Sequence, residues 1–136
     1  MNNHIDLLFN YFNEFADDSI KSNYLDSFNR KSISIDFSSK SRQGDVSSNF
    51  YLVAIKKILD KQFNLKDELL KGIHNLSFID KCEISKNGFI NINIKKKFLI
   101  DQVEYLLNQQ NQFGKSNLGN GKKVNVEFVS VNPTGP

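Results

Sequence analysis

Apolar side chains recur at helical spacing near the start of the chain and then at strand spacing. A helix is predicted from residue 4 to about residue 16, because apolar positions return every three or four residues at Ile5, Leu8, Phe9, Phe12 and Ala16. The polar run 17–22 is predicted to end this helix. Further on, Ile33, Ile35 and Phe37 alternate with polar residues, and this period predicts a half-buried strand with those three side chains inside.

The next segment predicts a loop followed by two helices. Residues 38–48 (SSKSRQGDVSS) are loop-like in composition. One helix is predicted from about residue 49 to residue 61, and the residues that could cap it are Asp45, Ser47, Ser48 and Asn49. Asn64 is predicted to cap a further helix, whose apolar stripe consists of Leu65, Leu69, Leu70 and Ile73.

A β-hairpin is the clearest element in the pattern. Its two strand candidates, FIDKCEI (78–84) and FININI (89–94), are joined by Ser85-Lys86-Asn87-Gly88. Asn-Gly between alternating runs is a strong hairpin signal because both residues tolerate a positive φ. A helix is predicted to follow from residue 97 to about residue 110, and the side chains predicted to face the core are Leu99, Val103 and Leu106.

These elements predict an α+β domain over residues 1–112, with helices packed on a small antiparallel sheet. Residues 113–123 are polar and glycine-bearing, which indicates a linker. Val124, Val126 and Phe128 then predict the first strand of a second domain over residues 124–136.

The amino-acid composition limits the cellular compartments and the kinds of binding site that we expect for this protein. One cysteine cannot form an internal disulfide, and one cysteine with two distant histidines argues against a structural zinc site, so we expect no bound metal. No run of about 18 apolar residues and no signal peptide is found, which predicts a cytoplasmic protein that binds no membrane. A net charge of +3 allows nucleic-acid binding without requiring it.

Two local motifs suggest chemistry but do not meet its requirements. Phe113-Gly114-Lys115-Ser116 resembles part of a phosphate-binding loop, but that loop needs a glycine at the position of Gln109. Cys82 lies in the middle of a predicted strand with no histidine near it in sequence. We interpret it as a small core residue rather than a nucleophile. No catalytic residue is predicted in the chain.

Residues 89–94 place different side chains on the two faces of their strand. The three isoleucines form an apolar face, which leaves Phe89, Asn91 and Asn93 on the other. One interpretation packs Phe89 under a helix or loop and leaves the asparagines solvated. The other exposes the ring, so that an unstacked nucleobase can lie on it while side-chain amides bind the edge of the base.

Four motifs follow one another along the chain: Gly44-Asp-Val-Ser-Ser-Asn49, Asn87-Gly-Phe-Ile-Asn91, Phe113-Gly-Lys-Ser-Asn117 and Val126-Glu-Phe-Val-Ser-Val-Asn-Pro-Thr-Gly-Pro136. In this order they resemble the N-terminal region of bacterial arginyl-tRNA synthetases, a family of class I aminoacyl-tRNA synthetases. The resemblance runs from residue 44 to residue 136 and more loosely through the first helix. The last motif is the most specific.

The resemblance implies that the residues up to about 110 form a domain that docks on the outer corner of tRNA(Arg) and touches its D-loop. In the family the hairpin motif reads a D-loop base, and its positions correspond to Asn87, Phe89 and Asn91. The two-faced pattern of the strand agrees with this implication independently.

The resemblance also implies a whole enzyme that joins arginine to tRNA through an arginyl-adenylate, with ATP, accompanied by Mg, as a substrate. Its arginine-binding residues correspond to Glu127, Ser130 and Asn132, which supply a carboxylate for the positive charge and polar groups that orient the amino acid. Val131 stands where the family more often has Ala. The family's ATP-binding signatures come later in its sequences, so these 136 residues are expected to bind no cofactor and to be inactive alone.

Two other function classes remain as alternatives: a self-standing RNA-binding module without catalysis, and a structural or protein-interaction domain. The motif at residues 126–136 argues against the self-standing module, because its strand needs parallel neighbours to become buried. We expect the chain to be a monomer.

Overall fold

The computed structural model describes residues 3–38, 44–117 and 119–127. These residues form four α-helices, namely α1 (His4–Lys21), α2 (Phe50–Ala54), α3 (Leu65–His74) and α4 (Lys96–Gln109). They also form four strands, β1 (Ile35–Phe37), β2 (Val46–Ser48), β3 (Ile79–Ile84) and β4 (Ile90–Ile94). All strand pairs are antiparallel and the order is β1-β2-β4-β3. The predicted α+β fold, with helices packed on a small antiparallel sheet, is confirmed.

One hydrophobic core joins α1, α2 and α3 to one face of the sheet. The rings of Phe12 on α1 and Phe50 on α2 stack with centroids 4.7 Å apart, and both are fully buried. The sheet contributes Val46, Ile79, Ile90, Ile92 and Ile94 to the same core. Burial of apolar surface contributes roughly 25 cal/mol per Å² to stability, so this packing holds the three helices on one face of the sheet. The opposite face is called the open face below.

Helix α1 is longer than the pattern predicted. Asn3 caps it by accepting a hydrogen bond from the N–H of Asp6 at 2.9 Å. The expected end near residue 16 is wrong, because the run 17–22 contains neither Gly nor Pro and its polar side chains form the solvent face of a continuing helix. Asp17 pairs there with Arg30 at 2.7 Å, while Ser19 is buried on the inner face.

Strand β2 lies inside the segment that was predicted to be a loop. Its three residues include one apolar side chain, Val46, which is fully buried. Backbone pairing with β1 on one side and β4 on the other holds the strand in place. The local sequence of residues 46–48 does not show that these two strands pair with it. Phe37, predicted to face inward, is 73 % exposed because it ends the edge strand β1, where its ring meets the edge of the His4 ring with the centroids 6.0 Å apart.

The two central helices differ in how well the sequence defines them. Helix α2 ends at Ala54 and continues as a 3-10 turn over Ile55–Lys57, so the predicted extension to residue 61 is wrong. Helix α3 is confirmed, since Asn64 caps it by accepting from the N–H of Asp67 at 3.2 Å. Its buried residues are Leu65, Leu69 and Ile73.

Helix α4 packs on the core through its first turn. Phe98 lies with its ring centroid 5.2 Å from that of Phe78, and Leu99 packs beside it. The predicted inward orientation of Val103 and Leu106 is wrong, because Val103 is 54 % exposed and Leu106 is also exposed. Gln102 and Tyr105, on the same helix, are half-buried instead.

Residues 119–127 form no strand and are exposed. The strand predicted from Val124 onward lies mostly in residues 128–136, outside the described residues, and the division at 113 and 124 therefore stays a prediction. None of the described helices has the length and apolar character that a bilayer-spanning helix needs.

Candidate nucleic-acid interface

A tight turn between β3 and β4 fixes the start of the candidate site. The N–H of Gly88 donates to the carbonyl of Ser85 at 2.9 Å, and the N–H of Ser85 donates to the carbonyl of Phe89 at 2.8 Å. Gly88 has a φ of +80°, while Asn87 is not among the residues with positive φ. This is a three-residue hairpin loop that needs glycine only at its last position, so the expectation of positive φ at both residues is half correct.

The alternation along β4 is as predicted. Ile90, Ile92 and Ile94 are buried against the helices, whereas Phe89 is 42 % exposed and Asn91 is half-buried on the opposite face. The backbone N–H of Phe89 donates to the Ser85 hydroxyl at 3.1 Å. The aromatic ring therefore stands at the solvent side of the sheet, held at its base by the turn.

A polar row crosses all four strands on this open face of the sheet. Asn91 on β4 lies opposite Ser47 on β2 and opposite Glu83 on β3. Asp36 on β1 continues the row beyond Ser47. Side chains that pair across antiparallel strands have Cβ atoms about 4.5–5.5 Å apart, so the Asn91 amide has a hydroxyl on one side and a carboxylate on the other.

The three predicted site residues come together in one pocket of about 310 Å³. Asn87, Phe89 and Asn91 line it together with Ser47 and Ser85. Such a volume lies at the lower end of the range for small-ligand sites. The two serines were missed by sequence reasoning. Recognition of β2 would have found Ser47, because its position beside the inward-facing Val46 places it on the open face.

The chemistry of this pocket suits a planar, neutral group with a hydrogen-bonding edge. The Phe89 ring offers a stacking surface, the two amides both donate and accept, and the two hydroxyls do the same. The five residues that line the pocket carry no ionisable side chain, so their arrangement supports recognition rather than acid–base catalysis.

Of the other predicted site residues, Glu127 alone falls within the described ranges, and it does not line this pocket. Glu127 is exposed in a segment without strand structure, and Ser130 and Asn132 lie outside the described residues. Within the described part of the chain, no group of three or more His, Cys, Asp or Glu side chains could hold a metal ion.

Cys82 has a histidine neighbour that the sequence did not reveal. The Nδ1 atom of His74, at the end of α3, lies 3.3 Å from the Cys82 Sγ. Burial raises the pKa of the Cys82 thiol to about 11. A thiol with so high a pKa is protonated at neutral pH and is a poor nucleophile, which supports the interpretation of Cys82 as a packing residue, half-buried beside the core.

Comparison with known proteins points to one family. The family model described as "Arginyl tRNA synthetase N terminal domain" matches residues 10–94. Arginine–tRNA ligase of Bartonella quintana (strain Toulouse) is 35 % identical over 117 residues, which is 86 % of this chain and 20 % of that protein. The Ruminiclostridium cellulolyticum enzyme of the same name is 34 % identical over 119 residues, 87 % of this chain and 21 % of that protein.

The chain thus spans about a fifth of the length of these curated relatives. The match to the family model contains the whole sheet, most of α1, and helices α2 and α3. It also contains all five residues that line the candidate pocket. Because this match extends over more than half of the 136 residues, the chain belongs to the arginyl-tRNA synthetase N-terminal domain family.

Proposed function

We propose that this chain is the tRNA-binding N-terminal part of an arginine–tRNA ligase, and that its open sheet face holds a base from the D-loop corner of tRNA(Arg). The observation that carries the proposal is the pocket in which the exposed Phe89 stands beside Asn87 and Asn91. An aromatic ring and amides at one site are the groups with which proteins bind unstacked RNA bases.

In this proposal Phe89 supplies affinity and the amides supply selectivity. Every base has a π-face, so stacking on Phe89 is tolerant of sequence and is worth about 1–3 kcal/mol. The edge of the base differs from one nucleotide to another, and Asn91 can bind that edge through both its donor and its acceptor. Asn87 contributes from the turn and lines the same pocket.

The whole protein, in the same proposal, joins arginine to tRNA in the cytoplasm, with ATP, accompanied by Mg, as a substrate. Glu127, Ser130 and Asn132 are proposed to bind arginine there, on the strength of the C-terminal motif. This chain is proposed to be a monomer. It is also proposed to be inactive in aminoacylation by itself, since it spans about a fifth of the length of the relatives that carry the name arginine–tRNA ligase.

The test compares two aromatic residues of similar exposure. Phe89→Ala should weaken binding of this chain to a tRNA(Arg) transcript by about tenfold, given the stacking energy above. Phe9→Ala is the matched control, because Phe9 on α1 is 39 % exposed and belongs to another face. Both variants should melt close to the unaltered chain.

Two results would contradict the proposal. One is a Phe89→Ala variant that binds tRNA(Arg) as well as the Phe9→Ala variant does. The other is a loss of about 3–5 kcal/mol in the free energy of unfolding on Phe89→Ala, which is the cost of removing a buried phenylalanine and would assign the ring to the core.

A further inference from the structure

A second pocket adjoins the first along β3 and β4, and its lining combines side chains of the open face with Cys82 and His74. Its volume is about 380 Å³, and Asn91 lines both pockets. Asn93 lines only the second one and follows Asn91 by two positions on β4. Residues two apart on a strand point to the same face at a separation of about 6.6–6.8 Å, so the two asparagines present neighbouring amides along one line.

We propose that this second pocket binds the nucleotide adjacent to the one stacked on Phe89, so that the sheet face holds two consecutive nucleotides of single-stranded RNA. The inference rests on the proposed function and extends it by one binding site. Sheet faces in RNA-binding domains commonly carry two or three bases in this way. Asn91, shared by the two pockets, lies at the boundary between the two nucleotides.

The residues of the second pocket supply the groups that a nucleotide needs. Lys81 on β3 lies opposite Asn93 in the strand register and is exposed, so its ammonium can meet a phosphate. No described carboxylate forms an ion pair with it. The Asn93 amide can bind a base edge as donor and acceptor, and the Glu83 carboxylate accepts hydrogen bonds only.

A ring also borders this second pocket. His74 is exposed at the end of α3, and its Nδ1 lies 2.8 Å from the carbonyl of Leu70, which fixes the ring orientation. This ring lies on the helix side of the sheet, since it contacts the Cys82 thiol and Cys82 pairs with the inward-facing Ile92. It is therefore no counterpart of Phe89, and the open-face groups of the second pocket are the Asn93 amide, the Lys81 ammonium and the Glu83 carboxylate.

The test measures binding of this chain to a tRNA(Arg) transcript with changes in the second pocket alone. Asn93→Ala should weaken binding about three- to tenfold, as expected for the loss of one or two hydrogen bonds. Lys81→Ala should reduce the slope of log K against log salt by about 0.7–0.9, the value for one phosphate contact. Asn10→Ala and Lys66→Ala are matched controls on exposed helix faces.

Base changes in the transcript separate the two pockets. The unaltered chain should lose affinity when the nucleotide next to the stacked base is changed, and Asn93→Ala should lose that preference while Phe89→Ala retains it. Asn93→Asp, which keeps the shape but replaces the donor with an acceptor, should behave like Asn93→Ala. It also provides a test if the alanine variant melts early.

The outcomes distinguish this inference from the proposed function. If Phe89→Ala weakens binding and both Asn93 variants bind as Asn10→Ala does, the second pocket is overturned and the first stands. If only the Asn93 variants weaken binding, stacking on Phe89 is overturned while the second pocket remains an RNA contact. If none of them differs from its control, both pockets are overturned.

Discussion

The carboxylate of Asp45 accepts a hydrogen bond from the backbone N–H of Ile94 at 2.7 Å, across 49 positions of sequence. The N–H of Asp45 donates in turn to the carbonyl of Ile92 at 2.8 Å. These two bonds hold the residue before β2 against the end of β4. A residue that sequence reasoning treated as a helix cap is thus a link between two strands, and it supports the part of β4 that carries Asn93.

Removal of this link should destabilise the domain. Asp45→Ala is expected to lower the free energy of unfolding by about 1–2 kcal/mol, towards the lower end for a hydrogen bond to a charged group because Asp45 is exposed. Asp45→Asn retains an acceptor and should lose less. Asp36→Ala, at an exposed position on β1, is the control for urea titrations of all three variants. Equal stability of Asp45→Ala and Asp36→Ala would show that the bond contributes nothing.

The turn before Phe89 should depend on the absence of a side chain at Gly88. Its φ is +80°, and an added Cβ would clash with the Cδ2 of Leu52 on α2. Gly88→Ala should therefore cost about 2–3 kcal/mol of unfolding free energy, through a left-handed backbone strain of about 1–2 kcal/mol and the displaced Leu52.

Gly114→Ala is the control for that substitution. Gly114 has the same φ of +80°, but no atom of the described residues lies within 4 Å of an added Cβ, and its backbone is free of the packing that would hold it in that conformation. Gly114→Ala should change the thermal midpoint by less than about 2 °C, because residue 114 lies outside the packed core. A Gly88→Ala variant as stable as Gly114→Ala would contradict the close contact of the turn with α2.

The Cys82 thiol should react slowly in the folded chain. Burial raises its pKa from 9.0 to about 11, so at pH 8 the folded chain holds about a hundredfold less thiolate than the unfolded chain. Alkylation by iodoacetamide should be slower by about that factor than in urea. Equal rates at pH 8 would show that the thiol is not shielded.

The same shift makes stability fall at high pH. A pKa raised by folding means that the folded chain holds its proton longer, so this contribution is fully present below pH 9 and is lost as pH rises towards about 11. Tyr11 titrates in an overlapping range, because burial raises its pKa to about 12. Cys82→Ala should therefore reduce the loss of stability between pH 8 and pH 11, measured by thermal unfolding. The part of that loss that is due to Tyr11 should remain.

The sequence predicted best those features whose causes are local. The hairpin between β3 and β4, its inward isoleucines and the Asn64 cap each depend on residues within a few positions of one another. Features that depend on distant partners were missed. Strand β2 exists because β1 and β4 flank it, and the pairing of His74 with Cys82 depends on the packing of α3 against β3.

The candidate site divides in the same way. Asn87, Phe89 and Asn91 lie on one hairpin and could be grouped by alternation alone, whereas Ser47 joins them only through the pairing of β2 with β4. The end of α1 was misplaced for a different reason. A polar stretch without Gly or Pro is compatible with both a loop and the solvent face of a helix, and the buried Ser19 decides between them only in three dimensions.

Asn91 and its neighbour Ser47 give the last prediction, which concerns selectivity rather than affinity. Asn91 lies opposite Ser47 in the strand register, and both line the pocket beside Phe89. Contacts to the edge of a base specify sequence, whereas stacking and phosphate contacts supply attraction. Asn91→Ala should therefore reduce the preference for the native D-loop base over a changed base by about 1–3 kcal/mol, and should reduce affinity for a transcript with a changed base very little.

Ser47→Ala should show a smaller loss of the same preference, because a hydroxyl contributes one hydrogen bond of about 0.5–1.5 kcal/mol. Both variants are compared with Phe89→Ala, which should weaken binding to the native and the changed transcript by similar factors. The double variant of Asn91 and Ser47 then tests whether the two side chains bind the same base, since residues that share one partner have non-additive effects. Unchanged base preference in Asn91→Ala would show that Asn91 does not select the base that stacks on Phe89. Strictly additive effects in the double variant would show that Ser47 contacts a different group.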